Sequence, residues 1–315
     1  MAENTTKDIW NDDDGDRAEP KKRRHLLRNF LIFLLVLIVV LGIVLAAAWR
    51  DGTGFDALHR YFAYGSSAVS SEKTVYQFDT DNSNRFAEMG DGCLVILSDT
   101  ALRMLGADGS EIWSANVQMT APALVQGGGK IAAYDVGGTA VYVLDENGEQ
   151  MELTAEGPIV SASLNSSGML AVTSQVSGTK GRVDVYTADG SALAEVNAHR
   201  RFVADACVTE DGKSLSVVLM GQEDGTFVSD VSFYDLTRPG EAEVTADYVV
   251  QDGLVTAMGC HGSSILTVTD TCFASGRANG KLTGTYSYDG EYLREYDLGG
   301  DGFTALLLNR YQSGS

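Results

Sequence analysis

Residues 92–113 read GCLVILSDTALRMLGADGSEIW. A glycine opens an apolar, β-branched run, Cys93 to Leu97, that ends at Ser98-Asp99-Thr100. A second run, Ala101 to Leu105, ends in Ala107-Asp108-Gly109, and Asp-Gly favours the tight turns that suit strand twist. The unit therefore reads as strand, hairpin, strand, turn, strand, and the chain beyond Trp113 repeats the pattern. Gly129, Gly168, Gly212, Gly262 and Gly302 each precede another apolar run, at intervals of 37, 39, 44, 50 and 40 residues from Gly92 onward. A second glycine closes a turn in the first five units: Gly109, Gly148, Gly190, Gly240 and Gly290. Alternation as in Arg182-Val183-Asp184-Val185 has period two, the signature of a half-buried strand.

A period near 40 residues built from short antiparallel strands is that of a β-propeller blade. One blade cannot bury both its faces, whereas stacked blades can. The expected fold is therefore all-β, a propeller over residues 74–315. Five units are complete and a sixth only opens, so the reading expects a C-terminally incomplete propeller that closes with six to eight blades in the whole protein. The run Thr74-Val75-Tyr76-Gln77-Phe78 is the strand expected to complete the last blade.

Asp108-Gly109-Ser110-Glu111-Ile112-Trp113 resembles the turn and tryptophan of repeats in the PQQ-like (pyrroloquinoline-quinone-type) propellers. Glu152, Ala194, Val244 and Arg294 stand where the other units would carry that tryptophan. The wider layout resembles a family of clostridial-type Gram-positive proteins in which a basic tail and one span precede a PQQ-like propeller of unknown function. The basic cluster, residues 30–49, Arg60-Tyr61-Phe62 and the repeats through Tyr311 carry that likeness. It implies a location and a fold, and it transfers no catalytic residues.

Outward from the repeats, Phe30 to Trp49 reads FLIFLLVLIVVLGIVLAAAW, twenty residues without charge or proline. At 1.5 Å per residue such a helix spans about 30 Å, the thickness of a bilayer's hydrocarbon core. Lys21, Lys22, Arg23, Arg24 and Arg28 crowd its N-terminal side, so the positive-inside rule keeps residues 1–28 in the cytoplasm and places residues 50–315 outside. Its length exceeds a signal-peptide core, and the expectation is an uncleaved anchor over residues 29–49. Residues 50–73 then form a short amphipathic helix and a flexible linker.

Residues 51–315 hold 15 basic and 36 acidic residues, a net of −21. A domain this acidic repels phosphate backbones, which excludes nucleic-acid binding. The four cysteines, Cys93, Cys207, Cys260 and Cys272, form no C-x-x-C pair and have no histidine at ligand spacing. They read as buried small hydrophobes, with a Cys260–Cys272 disulfide left open for an oxidising compartment. Asp79 to Asn84 lacks the glycine and glutamate of a calcium loop. Gly127-Gly128-Gly129 lacks the helix and lysine of a phosphate loop and reads as an inter-strand turn. His199-Arg200-Arg201 reads as an inter-blade turn, with anion binding at a loop tip as its alternative. No catalytic constellation, cofactor site or metal site emerges.

The function this supports is a membrane-anchored external propeller that binds a protein or envelope component. Gln222 to Val228 and Phe273 to Lys281 are the loops to watch, since binding residues gather on loops held by a rigid scaffold. A PQQ-like oxidoreductase or envelope hydrolase, and an assembly factor that adds client strands to blade edges, are the competing readings.

Overall fold

The computed structural model describes residues 28–40, 84–250, 253–299 and 303–310. The chain divides into two units, Met1–Ser71 and Glu72–Ser315. In the first, residues 28–40 are helical. Every apolar side chain from Phe30 to Val40 is exposed, so the helix is apolar all round. Among the described residues no helix is long and apolar enough to cross a membrane. Residues 41–49 of the expected span, Trp49 included, lie outside the described residues, as do Lys21, Lys22, Arg23, Arg24, the linker and residues 74–78.

The second unit is all β. Its first four-stranded antiparallel sheet takes β1 (Arg85–Met89), β2 (Cys93–Leu97), β3 (Ala101–Leu105) and β4 (Glu111–Asn116) in chain order. The second takes β5 (Pro122–Gly127), β6 (Lys130–Asp135), β7 (Ala140–Asp145) and β8 (Gly148–Thr154). The third is β9 (Ile159–Leu164), β10 (Leu170–Ser174), β11 (Gly181–Tyr186) and β12 (Ala192–Ala198). In the fourth, β13 (Phe202–Val208), β14 (Ser214–Glu223) and β15 (Thr226–Asp235) are followed by β16 (Gly240–Glu241) and β17 (Val244–Val250), and β16 crosses to pair with β12 of the third sheet. The fifth is β18 (Val255–His261), β19 (Ser264–Thr269), β20 (Cys272–Arg277) and β21 (Lys281–Ser287). A two-stranded sheet, β22 (Tyr292–Asp297) and β23 (Ala305–Asn309), comes last.

The strands of each four-stranded sheet are designated A to D in chain order. The A strands of successive sheets touch, β1 to β5 to β9 to β13 to β18. The core lies between sheets: four apolar clusters each draw on two adjacent sheets, from Leu97 with Ile131 to Val231 with Ile265. Burial on both faces explains why the second strands read as near-continuous apolar runs, as in the wholly buried Leu170–Ser174. Each fully buried Val, Leu or Ile contributes about 1.5–3 kcal/mol. Outer D strands are half-buried at most and mix polar with apolar residues, β21 being exposed throughout. This is a propeller-like array of blades.

One irregularity recurs in every blade. Strand D carries a one-residue bulge against strand C, at Ile112, Gln150, Leu193, Thr245 and Thr283. The residue just after the bulge is Trp113, Met151, Ala194, Ala246 or Gly284, and in the first four blades it meets the C–D turn glycine of the next blade. A Cβ on Gly148 would lie 3.1 Å from Trp113, one on Gly190 3.0 Å from Met151, and one on Gly280 3.1 Å from Ala246. Opposite Ala194 the contact is through the backbone, where Gly240 pairs with it as part of β16.

These contacts correct the sequence reading at four positions. Gly280, not Gly290, closes the C–D turn of the fifth blade, and Gly290 lies in the link between β21 and β22. Met151, Ala246 and Gly284 take the tryptophan position in place of Glu152, Val244 and Arg294. Counting from a turn glycine ignores where the bulge falls, and two glycine turns ten residues apart look alike until one is packed against a neighbour. The first strand is Arg85–Met89, which the repeats do not single out. Gly92, Gly129, Gly168, Gly212 and Gly262 lie in the A–B turns with positive φ, as the repeats predict. Gly302 lies outside the described residues.

Candidate binding cleft

In a four-stranded meander the A–B and C–D turns share one end, and the B–C turns and D–A links share the other. The first end, the turn rim, holds the glycine turns. The second, the link rim, holds longer connections tied down by carboxylates at the ends of B strands. Asp135 Oδ1 accepts from the Thr120 and Ala121 amides at 2.8 and 2.7 Å, and Asp270 Oδ1 accepts from Leu254 at 2.8 Å.

On the link rim of the third and fourth blades lies a cleft of ≈ 560 Å³, a size suited to ligands. Lys180 comes from a B–C turn, Arg200 and Arg201 from the D–A link, and Phe202 from the start of β13. Opposite them stands the β14–β15 hairpin, ten residues per strand, with its turn at Asp224 (φ 48) and Gly225 (φ 84). Phe202 and Phe227 are 54% and 65% exposed. Lys180 Nζ sits 4.9 Å from the centre of the Phe202 ring. Arg201 pairs with Glu223 and Asp230, and it lies across the hairpin because Gly221 has no Cβ, which would stand 2.9 Å from the Arg201 side chain. The cleft thus presents two aromatic rings and two cations, Lys180 and Arg200, on a strongly acidic domain.

β13 joins this cleft to the interior. Asp205, half-buried, lies three residues beyond Phe202. Its Oδ1 accepts from the Ala206 amide at 2.9 Å and its Oδ2 from the Met258 amide of the fifth blade at 3.1 Å. Burial pushes its carboxyl up, against these hydrogen bonds and the neighbouring Ser161 hydroxyl. The Tyr134 and Tyr296 phenols are raised chiefly by desolvation and further by the Asp205 charge. Two residues on, Cys207 is disulfide-bonded to Cys260, with Cα atoms 6.0 Å apart. The offset from Asp205 to Met258 equals that from Cys207 to Cys260, so the two A strands run parallel and are stapled twice. This replaces the Cys260–Cys272 pairing that the sequence left open: Cys272 and Cys93 are buried thiols.

The watched segments fall out differently. Gln222 to Val228 belongs to the hairpin beside the cleft and is mostly strand. Phe273 to Lys281 is strand β20 with a tight turn, far from a loop insertion. His199-Arg200-Arg201 is a connection, and Gly128-Gly129 forms the turn that follows β5, whose last residue is Gly127. His261 ends β18 with Nδ1 3.8 Å from Glu210. Among the described residues no three His, Cys, Asp or Glu side chains gather to hold a metal ion. Sequence reasoning missed Lys180, Phe202 and Asp205, while Phe227 lies in the watched segment Gln222 to Val228. Only Asp205 left a trace, as an acid inside the apolar strand Phe202–Val208.

Among solved structures the chain is similar to a chain in a crystal structure of the mitotic checkpoint complex, at 13% identity and a TM-score of 0.49, covering 66% of this chain and 68% of that one. It is also similar to Kuenenia stuttgartiensis hydrazine synthase, at 16% identity and a TM-score of 0.47, covering 70% and 72%. No curated protein matches it. A family model does match over residues 62–258, more than half of the chain, which therefore belongs to DUF5711, a family of unknown function.

Proposed function

We propose that this protein is a membrane-anchored, extracytoplasmic binding platform whose ligand face is the link-rim cleft. The cleft carries the reading: exposed aromatic rings beside two cations without a carboxylate partner among the described residues, held on rigid blades. Rigid scaffolds with connecting segments at one end are where binding residues concentrate. Anchoring is supported by the apolar run Phe30 to Trp49 and by the uncovered apolar surface of residues 30–40, which lipid would cover. The external side is supported by the basic cluster before the run and by the Cys207–Cys260 disulfide, a bond that persists in oxidising compartments. In this reading the array is of the PQQ-like kind and closes as a ring of six to eight blades. Phe303 and Leu307, exposed at 81% and 49%, are surface that further strands of a sixth blade would cover.

The test uses the full chain in its own envelope. Intact cells are treated with an amine-reactive crosslinker, and material recovered with the protein is compared with a tail-plus-span control. The reading expects external protease to cut the domain without lysis, and crosslinks to envelope components that weaken in Lys180→Glu/Arg200→Glu. A protease-resistant domain in intact cells, cut only after lysis, would refute the location. Crosslinks indifferent to that double variant would refute the cleft as ligand face.

A further inference from the structure

The β14–β15 hairpin projects past the strand that should cover it. β14 and β15 pair along their whole length, to Glu223 with Thr226. β13 pairs with β14 only from Phe202 with Met220 inward. Gly221, Gln222 and Glu223 therefore have no sheet neighbour on the β13 side among the described residues. Proteins blunt such edges with charged side chains, proline or a bulge; here Glu223 is held by Arg201, and Gln222 is the residue whose amide and carbonyl face away from β15. The bare edge forms a wall of the cleft, with Phe202 and Phe227 beside it and Lys180 and Arg200 at its mouth.

We propose that the cleft binds an extended acidic peptide segment of a partner protein, which adds as a short strand to β14 at residues 221–223. Three residues of added strand cover about 10 Å. The peptide's main chain would pair with the outward amide and carbonyl of Gln222, its alternate apolar side chains would pack on the two rings, and its carboxylates would face Lys180 and Arg200. Charge selects the class. Elsewhere the domain, at −21 over residues 51–315, repels acidic partners, so an acidic segment is steered to these cations. Arg201 is already held by Glu223 and Asp230. A polysaccharide would meet the rings and the cations, but it has no alternating donors and acceptors to match a strand edge. This inference rests on the cleft being the ligand face and adds what the ligand is.

The experiment selects peptides from a random dodecapeptide phage library on the full chain in lipid nanodiscs. The expected winners alternate acidic and apolar residues. Their affinity falls at least tenfold in Lys180→Glu/Arg200→Glu, falls similarly in Phe227→Ser, and holds in Lys281→Glu, a charge reversal on the fifth blade. Hydrogen exchange slows at the Gln222 amide when a selected peptide binds, with the melting curves of all variants showing that they fold. No enrichment, enrichment indifferent to the double reversal, or binding without slowed exchange at Gln222 overturns the proposal. Polygalacturonate, an anionic polysaccharide, is run in parallel. If it binds with the same dependence on Lys180 and Arg200 while no peptide does, the peptide inference fails and the binding platform stands. If neither probe binds and the cellular crosslinks ignore the double reversal, both fail.

Discussion

The two rims of the blade array are built from the same strands and differ in kind. On the turn rim the second to fifth blades repeat one device: a C–D turn glycine set against the post-bulge residue of the blade before, as Gly148 is against Trp113. On the link rim the connections vary in length, the fourth blade overshoots its neighbours by a hairpin, and two phenylalanines stand in solvent. Regular packing uses apolar surface for stability, and apolar surface left open on a rigid frame is available for a ligand. The turn rim should therefore be sensitive to substitution, and the link rim tolerant in stability but sensitive in binding.

The sharpest way to break that contrast is the staple near the turn rim. Cys207→Ser with Cys260→Ser opens a cross-link between residues 53 apart, and chain entropy alone gives a loss of about 4 kcal/mol. Urea denaturation of the oxidised protein and the double variant measures it. A loss under about 1 kcal/mol would mean that the fourth and fifth blades need no staple.

Next comes Gly148→Ala, where φ is 114° and the added Cβ meets Trp113. The expected cost is about 1–3 kcal/mol. Combined with Trp113→Ala it should show a coupling of about 0.5–3 kcal/mol, because the double variant removes the clash. Additive losses would show that the ring does not hold the turn.

Asp205 tests the strand that connects the two rims. Its folded carboxyl is raised above the ordinary 3.8 by burial. Between 3.8 and that raised value the folded state keeps a proton that the unfolded state has lost, so this residue's contribution falls as pH rises through the window and is constant outside it. The stability of Asp205→Asn relative to the parent should therefore rise with pH across that range. A flat difference from pH 3 to 8 would contradict the burial.

The smallest effects belong to the cleft. Phe202→Ser and Lys180→Ala should each cost no more than about 0.5–1 kcal/mol, since either one removes the contact between the ammonium and the ring. Equal or larger losses than at Gly148 would erase the distinction between the rims.

How much of the molecule is legible along the chain differs by rim for the same reason. The turn rim repeats, and a repeat is visible in one dimension: spacing alone places Gly92, Gly129, Gly168, Gly212 and Gly262. Where the spacing errs, at Gly290 for Gly280 and Glu152 for Met151, a second glycine turn or a strand bulge shifts the count, and only packing against the neighbouring blade reveals it. The cleft does not repeat. Lys180 lies in a turn, Phe202 opens β13 and Phe227 lies in β15, and no pattern in the sequence joins them.

The strand-and-turn period and the apolar run with its basic flank are written in the sequence, because each is a property of neighbours along the chain, and the net acidity is written there as a simple sum. Packing in three dimensions decides that Cys207 pairs with Cys260, that Asp205 bridges two blades, and that a hairpin edge lies bare beside two cations. Those depend on which strands lie side by side across roughly fifty residues of chain, and distances of that kind are set by how whole sheets pack.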